Sequence, residues 1–248
     1  MAAFSLPLHN RRVTQLPPIP LSKLPNFDPR KVPVSAVDTH LPPVAPSQLL
    51  AAALQQRFQS PPTWQPEVRA EPLFTERAPL HAAVLIPIIQ HSLEQGGPTV
   101  LLTQRTARMS THAGQIAFPG GKADEGDADA SATALREAWE EVGLAPAYIQ
   151  VIGQLPVYVT GTAFIVTPVV ALVQPGFTLV HQPTEVADAF EVPLAFLMDP
   201  ANHRRHAFDW EGGHREWFSM PYMDAQGERF IWGATAGMLR NFYRFLSA

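Results

Sequence analysis

The chain has 248 residues, of which 46% are apolar, enough to bury a sizeable core in one or two domains. A net charge of −4 and a pI of about 6.1 supply no global basic field, so a general nucleic-acid or anionic-membrane binder is excluded. With no cysteine, a disulfide scaffold, a thiol nucleophile and a thiolate metal site are excluded as well, and a reducing cytoplasmic setting is expected.

Proline is abundant at 26 residues and unevenly placed, with Pro7, Pro17, Pro18, Pro20 and Pro25 beginning a run that continues past residue 70. Each proline fixes φ and removes a backbone donor, so neither a helix nor a central strand is expected over residues 1–46. The segment reads as an extended arm, disordered or draped over the body. Its start lacks the apolar core of a signal peptide. It is basic at Arg11, Arg12 and Lys23 with no acid before Asp28, so a mitochondrial transit peptide stays open. No apolar run is long enough for a membrane-spanning helix.

Ser47 can cap a short helix from Gln48 to Phe58, with Leu49, Leu50, Leu54 and Phe58 on one side. The compact domain is expected from residue 78 to residue 248, leaving residues 1–77 as the arm. Within it, Ala82–Ile89 and Thr99–Gln104 read as buried strands, and residues 106–117 as a loop punctuated by Phe118-Pro119-Gly120-Gly121. Ser131–Val142 is the clearest helix. Ile149–Val159, Phe164–Val173, Phe177–His181, Glu216–Met220 and Arg229–Trp232 read as strands, and Ala234–Phe245 as a closing helix. No internal repeat is present. The pattern predicts an α/β fold with a mixed sheet and helices packed on it.

The helix at 131–142 carries the chemistry. Ala132, Leu135, Trp139 and Val142 share a face that should bury. Glu137, Glu140 and Glu141 share another, and repulsion at this spacing costs a few tenths of a kcal/mol per pair. Clustered carboxylates suit a hard cation such as Mg²⁺ or Mn²⁺. A solvated acidic face with Arg136 paired to Glu140 fits the same spacing, so the upstream sequence has to separate the two readings. Residues 101–122 hold Arg105, Arg108 and Lys122 and no acid, whereas residues 123–141 are net −6. A basic loop against an acidic helix is what a phosphate ester requires: donors for its oxygens and a metal for the charge that develops. Gly120-Gly121 lets backbone approach a ligand closely.

The stretch GGKADEGDADASATALREAWEEVGL, Gly120 to Leu144, resembles the Nudix box, G-x5-E-x7-R-E-U-x-E-E-x-G-U. Gly121, Arg136, Glu137, Ala138, Glu140, Glu141, Gly143 and Leu144 occupy its marked positions. Asp127 stands where the box has its first Glu, and the gap to Arg136 is one residue longer. Upstream, LLTQRTARMSTHAGQIAFPGG, Leu101 to Gly121, resembles the additional motif of the coenzyme A pyrophosphatase branch, which shares the Asp and the longer gap. EVADAFEVPLAFLMDP and IWGATAGML are also similar to this branch. The likeness covers roughly residues 80–245 and leaves the proline-rich arm unexplained.

The resemblance implies a Nudix α/β/α sandwich and a metal-dependent pyrophosphohydrolase that cuts coenzyme A or its derivatives to 3′,5′-ADP and 4′-phosphopantetheine or its acyl form. Glu137, Glu140 and Glu141 map onto the metal ligands, with the Gly121 carbonyl a further candidate. Arg136 is expected to orient carboxylates. The general base is Glu137 or Glu141 through bound water, or Glu185 in a later loop. Arg105, Arg108, His112, Gln115, Gly120, Gly121 and Lys122 are candidates for substrate contacts. The expected partner is thus a small molecule, with no nucleic acid and no membrane; a homodimer stays open. Two other readings remain: a Nudix hydrolase of another nucleoside diphosphate such as ADP-ribose or NADH, and a non-catalytic binding module, which would not need clustered repelling acids. Walker A, H-E-x-x-H and G-x-S-x-G patterns are absent, His203, His206 and His214 lie in irregular polar sequence unsuited to zinc, and Trp210 and Trp217 read as packing residues.

Overall fold

A computed structural model describes residues 24, 27–107, 114–210 and 213–248. Its centre is a mixed sheet. β2 (Leu80–Ile89) and β8 (Phe164–Val173) run parallel in full register from Leu80 opposite Phe164 to Ile89 opposite Val173. β3 (Thr99–Arg105), β4 (Ile116–Ala117), β5 (Gly120–Lys122), β6 (Ile149–Gln154), β7 (Tyr158–Val159) and β9 (Val186–Pro193) add to them antiparallel. The central strands read as continuous apolar runs because both faces are covered. Alternate residues of β2 divide between two cores: Ala83, Leu85 and Ile89 face one helix, and Ile86 and Ile88 face the opposite layer.

That helix is α2 (Ala130–Val142), capped by Asp129, whose carboxylate accepts the Ala132 N–H at 2.9 Å, and closed by Gly143 at φ 68°. It buries Ala134, Ala138 and Val142 on the sheet. The face expected from the spacing is corrected here, since Trp139 is 54% exposed. Small alanines let the helix approach the strands closely, and the indole is displaced to the flank.

The opposite layer is formed by α1 (Ala51–Gln59) and α4 (Gly233–Ser247), which bring Leu54, Leu239, Phe242 and Phe245 onto the sheet. The fold is therefore the α/β/α sandwich with a mixed sheet. A second, four-stranded antiparallel sheet of β1 (Val34–Val37), β10 (Arg204–Trp210), β11 (Gly213–Asp224) and β12 (Gly227–Trp232) flanks it. The short helix α3 (Leu194–Leu197) follows β9.

Several elements differ from expectation. Ser47 caps nothing: a single 3₁₀ turn spans Pro46–Leu49, and α1 starts after Leu50 without a side-chain cap. The strand expected over 149–159 is divided into β6 and β7 by Leu155-Pro156, where proline cannot donate to a ladder. Phe177–His181 is not a strand. Val180 and Gln182 donate instead to the carbonyls of Val142 and Glu141, satisfying the end of α2, while Phe177 and Leu179 pack on the core. β9 and β10 were not anticipated, although Val186, Phe190 and Val192 do alternate inward.

From Asp28 onward the proline-rich segment is part of the packing. β1 pairs along β10 as an edge strand, where proline neighbours are tolerated. Val44, Leu49 and Leu54 are buried in the main core. Asp38 and Glu67 meet Arg205, Arg240 and Arg244 in an ion-pair network; Arg240, fully buried, donates Nε–H to Glu67 at 2.8 Å and lies 2.7 Å from Asp38 without hydrogen-bond alignment. Packing thus crosses the boundary placed at residue 78. Arg11, Arg12 and Lys23 lie outside the described residues.

Candidate active site

The site forms where the acidic edge of α2 meets β5 and the end of β3. Ala134 and Ala138 seat the helix on β2, which turns Glu137 and Glu141 toward Gly120 and Gly121. Gly120 is required by contact with backbone, whereas a side chain at Gly121 would displace the Glu137 carboxylate. A Cβ on Gly120 would stand 2.5 Å from the Ala83 carbonyl oxygen, and one on Gly121 would stand 2.5 Å from the Glu137 carboxyl carbon.

Glu141 is only 5% exposed. Its Oε2 accepts the Gly120 N–H at 3.1 Å, and its Oε1 lies 4.0 Å from Arg105 Nη1. Burial pushes its carboxyl up to about 7, against the pull of the Gly120 N–H and of Arg105. Burial also raises Glu137, opposed by Arg136, and the nearby Glu185 charge adds to the rise of both.

Arg136 spends its donors on protein. Nε and Nη2 fork onto Asp127 at 3.0 Å each, Nη2 also reaches the Lys122 carbonyl at 3.0 Å, and Nη1 reaches Glu137 at 2.9 Å and Glu140 at 3.0 Å. The fork holds the Asp127 carboxyl well below the usual range. Asp127 was not singled out by residue chemistry, yet it is the brace of the arginine that holds two of the helix carboxylates.

Apart from Asp127, which stands behind Arg136, these groups border one cleft of about 800 Å³. Arg105, Gln115 and Lys122 line it together with Glu137, Glu140, Glu141 and Glu185, so basic and acidic groups share one wall, as at Arg105 Nη1 and Glu141 Oε1, 4.0 Å apart. Glu185 is held by the Thr106 N–H donating to its carbonyl. Arg108 and His112 lie outside the described residues. Lining residues missed by the sequence reading are Glu71, Phe74, Arg215 and Trp232; they are far apart along the chain, and no local pattern announces them.

His203, His206 and His214 do not form a metal group. His203 and His206 are buried with separate hydrogen-bond partners, and His214 is exposed beside Asp209. Trp217 is packed among Phe27, His206 and Trp232. Among the described residues no three acidic or histidine side chains are drawn together into a finished metal cage. The donor chemistry of α2 nevertheless fits a hard divalent cation: three carboxylates within one turn face a cleft, and burial leaves the charge of two of them undercompensated.

The NUDIX domain family matches residues 79–220. The chain belongs to the Nudix family. A Nudix relative from Citrobacter koseri, named as the uncharacterized Nudix hydrolase NudL, is 41% identical over 177 residues, covering 71% of this chain and 85% of its own. NudL of Photorhabdus laumondii is 44% identical over 160 residues, covering 64% of this chain and 81% of its own. Among solved structures, the Nudix hydrolase RenU of M. smegmatis is 25% identical with a TM-score of 0.39, covering 48% of this Nudix chain and 73% of its own. A MutT/nudix family protein of Enterococcus faecalis is 14% identical with a TM-score of 0.39, covering 78% and 73%. The Nudix chain is accordingly placed among hydrolases of pyrophosphate bonds. No described helix is long and apolar enough to cross a membrane.

Proposed function

We propose that this Nudix hydrolase cleaves the diphosphate of coenzyme A or its derivatives, giving 3′,5′-ADP and 4′-phosphopantetheine or its acyl form. The observation that carries the reading is the convergence of the three α2 carboxylates, the Gly120–Lys122 backbone and Arg105 on one cleft. The choice of coenzyme A rests on the likeness of Leu101–Gly121 to the motif of that branch.

Glu137, Glu140 and Glu141 would hold Mg²⁺ or Mn²⁺, which when bound neutralises charge on the diphosphate oxygens and lowers the pKa of water. Arg136 acts as a positioning residue: with both arms of its fork on Asp127, it fixes Glu137 and Glu140 in rotamers directed at the cleft. Arg105, Lys122 and Gln115 line the same cleft and would contact the anionic substrate, an arginine suiting phosphate oxygens. The proton of the attacking water passes to a carboxylate oxygen at the cleft, of Glu185 or of a helix glutamate.

The test is side-by-side hydrolysis of coenzyme A, acetyl-coenzyme A, ADP-ribose and NADH with Mg²⁺ or Mn²⁺. Release of 3′,5′-ADP with the highest kcat/KM on coenzyme A compounds supports the reading. A preference for ADP-ribose or NADH overturns it.

A further inference from the structure

Arg229 on β12 ties three elements together without bordering the cleft. Its Nε–H donates to Asp224 at 2.6 Å within its own hairpin, Nη1 donates to Gln104 of β3 at 3.0 Å, and Nη2 donates to Asp188 of β9 at 2.7 Å. The guanidinium lies over the Phe190 ring, 4.2 Å from its centre. A lysine could not reach all of these partners, since it has one point of charge and no planar fork.

The two strand residues that Arg229 bridges are opposite each other. Gln104 and Asp188 form the last regular rung of the β3–β9 ladder; the next pair is Arg105 with Val186, and the register skips Ala187. This bulge turns β9 over. Phe190 and Val192 lie in the core shared with α4, and strict alternation would place Val186 with them, yet Val186 lies in the core beneath α2. A bulge leaves one residue unpaired and re-aims the side chains beside it.

Arg105 is the side chain beside it, and its own bonds hold it poorly. Its Nε is buried without a partner among the described residues, and its Nη1 stands 4.0 Å from Glu141. Its direction is therefore set by backbone. Arg105 N–H donates to the Gln115 carbonyl at 2.9 Å, and beyond the bulge Thr106 N–H donates to the Glu185 carbonyl at 3.0 Å. Thr106 thus closes the bulge on the cleft side, and Arg229 closes it on the other.

We infer that Arg229 is a positioning residue: by bridging Gln104 and Asp188 it fixes the bulge that aims Arg105 into the cleft and sets Glu185 beside it. The effect on turnover rests on Arg105 meeting the substrate diphosphate as proposed above.

The test is a double-mutant cycle, read on whichever of the four diphosphates is hydrolysed best. Arg229→Met should raise KM about 3- to 10-fold while kcat stays within about twofold. In an Arg105→Met background the same substitution should leave KM unchanged, because the residue it acts through is gone. Gln104→Leu, which removes one end of the bridge, should behave like Arg229→Met and serves if that variant fails to fold. Equal factors in both backgrounds would mean a general structural role and overturn the inference. Amide hydrogen exchange supplies a readout without turnover: in either folded variant, Arg105 and Thr106 should exchange about tenfold faster or more, with Val100, Leu101 and Leu102 unchanged. Exchange at Arg105 and Thr106 equal to the wild type also overturns the inference. Hydrolysis of none of the four compounds would overturn the proposed function instead, while the exchange rates would still decide the clamp.

Discussion

Glu141 and Gly120 are joined directly: the glycine backbone N–H donates to the buried carboxylate at 3.1 Å. The bond ties the acidic helix to the glycine turn, so the groups that would hold a cation and those that face phosphate are positioned by one contact. Glu141→Gln or Glu140→Gln should lower kcat by about two orders of magnitude or more, with a smaller change in substrate affinity, because the carboxylates act mainly on charge that develops in the transition state. Steady-state kinetics with added Mg²⁺ or Mn²⁺ checks this; full activity in both variants defeats the assignment.

Asp127→Asn removes charge from the group that takes both arms of the Arg136 fork. Arg136 then loses its anchor, and Glu137 and Glu140 lose their fixed orientation. The metal concentration for half-maximal activity should rise about 10- to 100-fold, the usual cost of losing an outer-shell partner. A metal titration of the folded variant that overlays the wild type would show that Arg136 is held by other means.

Leu54 belongs to the segment before residue 78, yet it is fully buried in the main core. Leu54→Ala should destabilise the whole protein by about 2–5 kcal/mol. A denaturation midpoint equal to that of the wild type would mean that this segment is dispensable for the core.

His203 should make stability fall with acid. Its Nε2 meets the Leu197 carbonyl at 2.8 Å, so Nδ1 is left to accept from Arg240 at 3.1 Å, an arrangement available only to the neutral ring. Burial, with the Arg240 charge adding, depresses its pKa from 6.5 to about 4. Stability is therefore complete above the unfolded value of 6.5, is lost as pH falls toward 4 while only the unfolded chain takes up the proton, and loses nothing more from this group below 4. The loss amounts to about 3 kcal/mol at most. Chemical denaturation at several pH values should show a shallower dependence in His203→Gln than in the wild type, and parallel curves would refute the assignment.

Local pattern announced much of the architecture. The continuous runs of β2, β3 and β8 and the 3.6-residue period of α2 were readable because each reports burial on its own element. The carboxylates at 137, 140 and 141 were readable for the same reason: one helical turn brings them to one face whatever the helix packs on. Phe177–His181 misled because its apolar residues are buried by covering the end of α2, which a strand period cannot distinguish from pairing. Trp139 misled because the centre of a helix contact is chosen by how closely the sheet can approach, and alanine wins that place over indole.

By itself, then, the sequence determined that basic loop and acidic helix adjoin, that no thiol chemistry is available, and which turn of helix carries the acids. Only the tertiary structure decided which side chains meet across the cleft: Arg136 with Asp127, Glu141 with Gly120, and Phe74 and Glu71 with Arg215. Composition marked the proline-rich segment as irregular, and much of it is. Irregular backbone can still be ordered when its side chains bury and its polar groups find partners elsewhere, and those partners lie more than a hundred residues away, where no local period can register them.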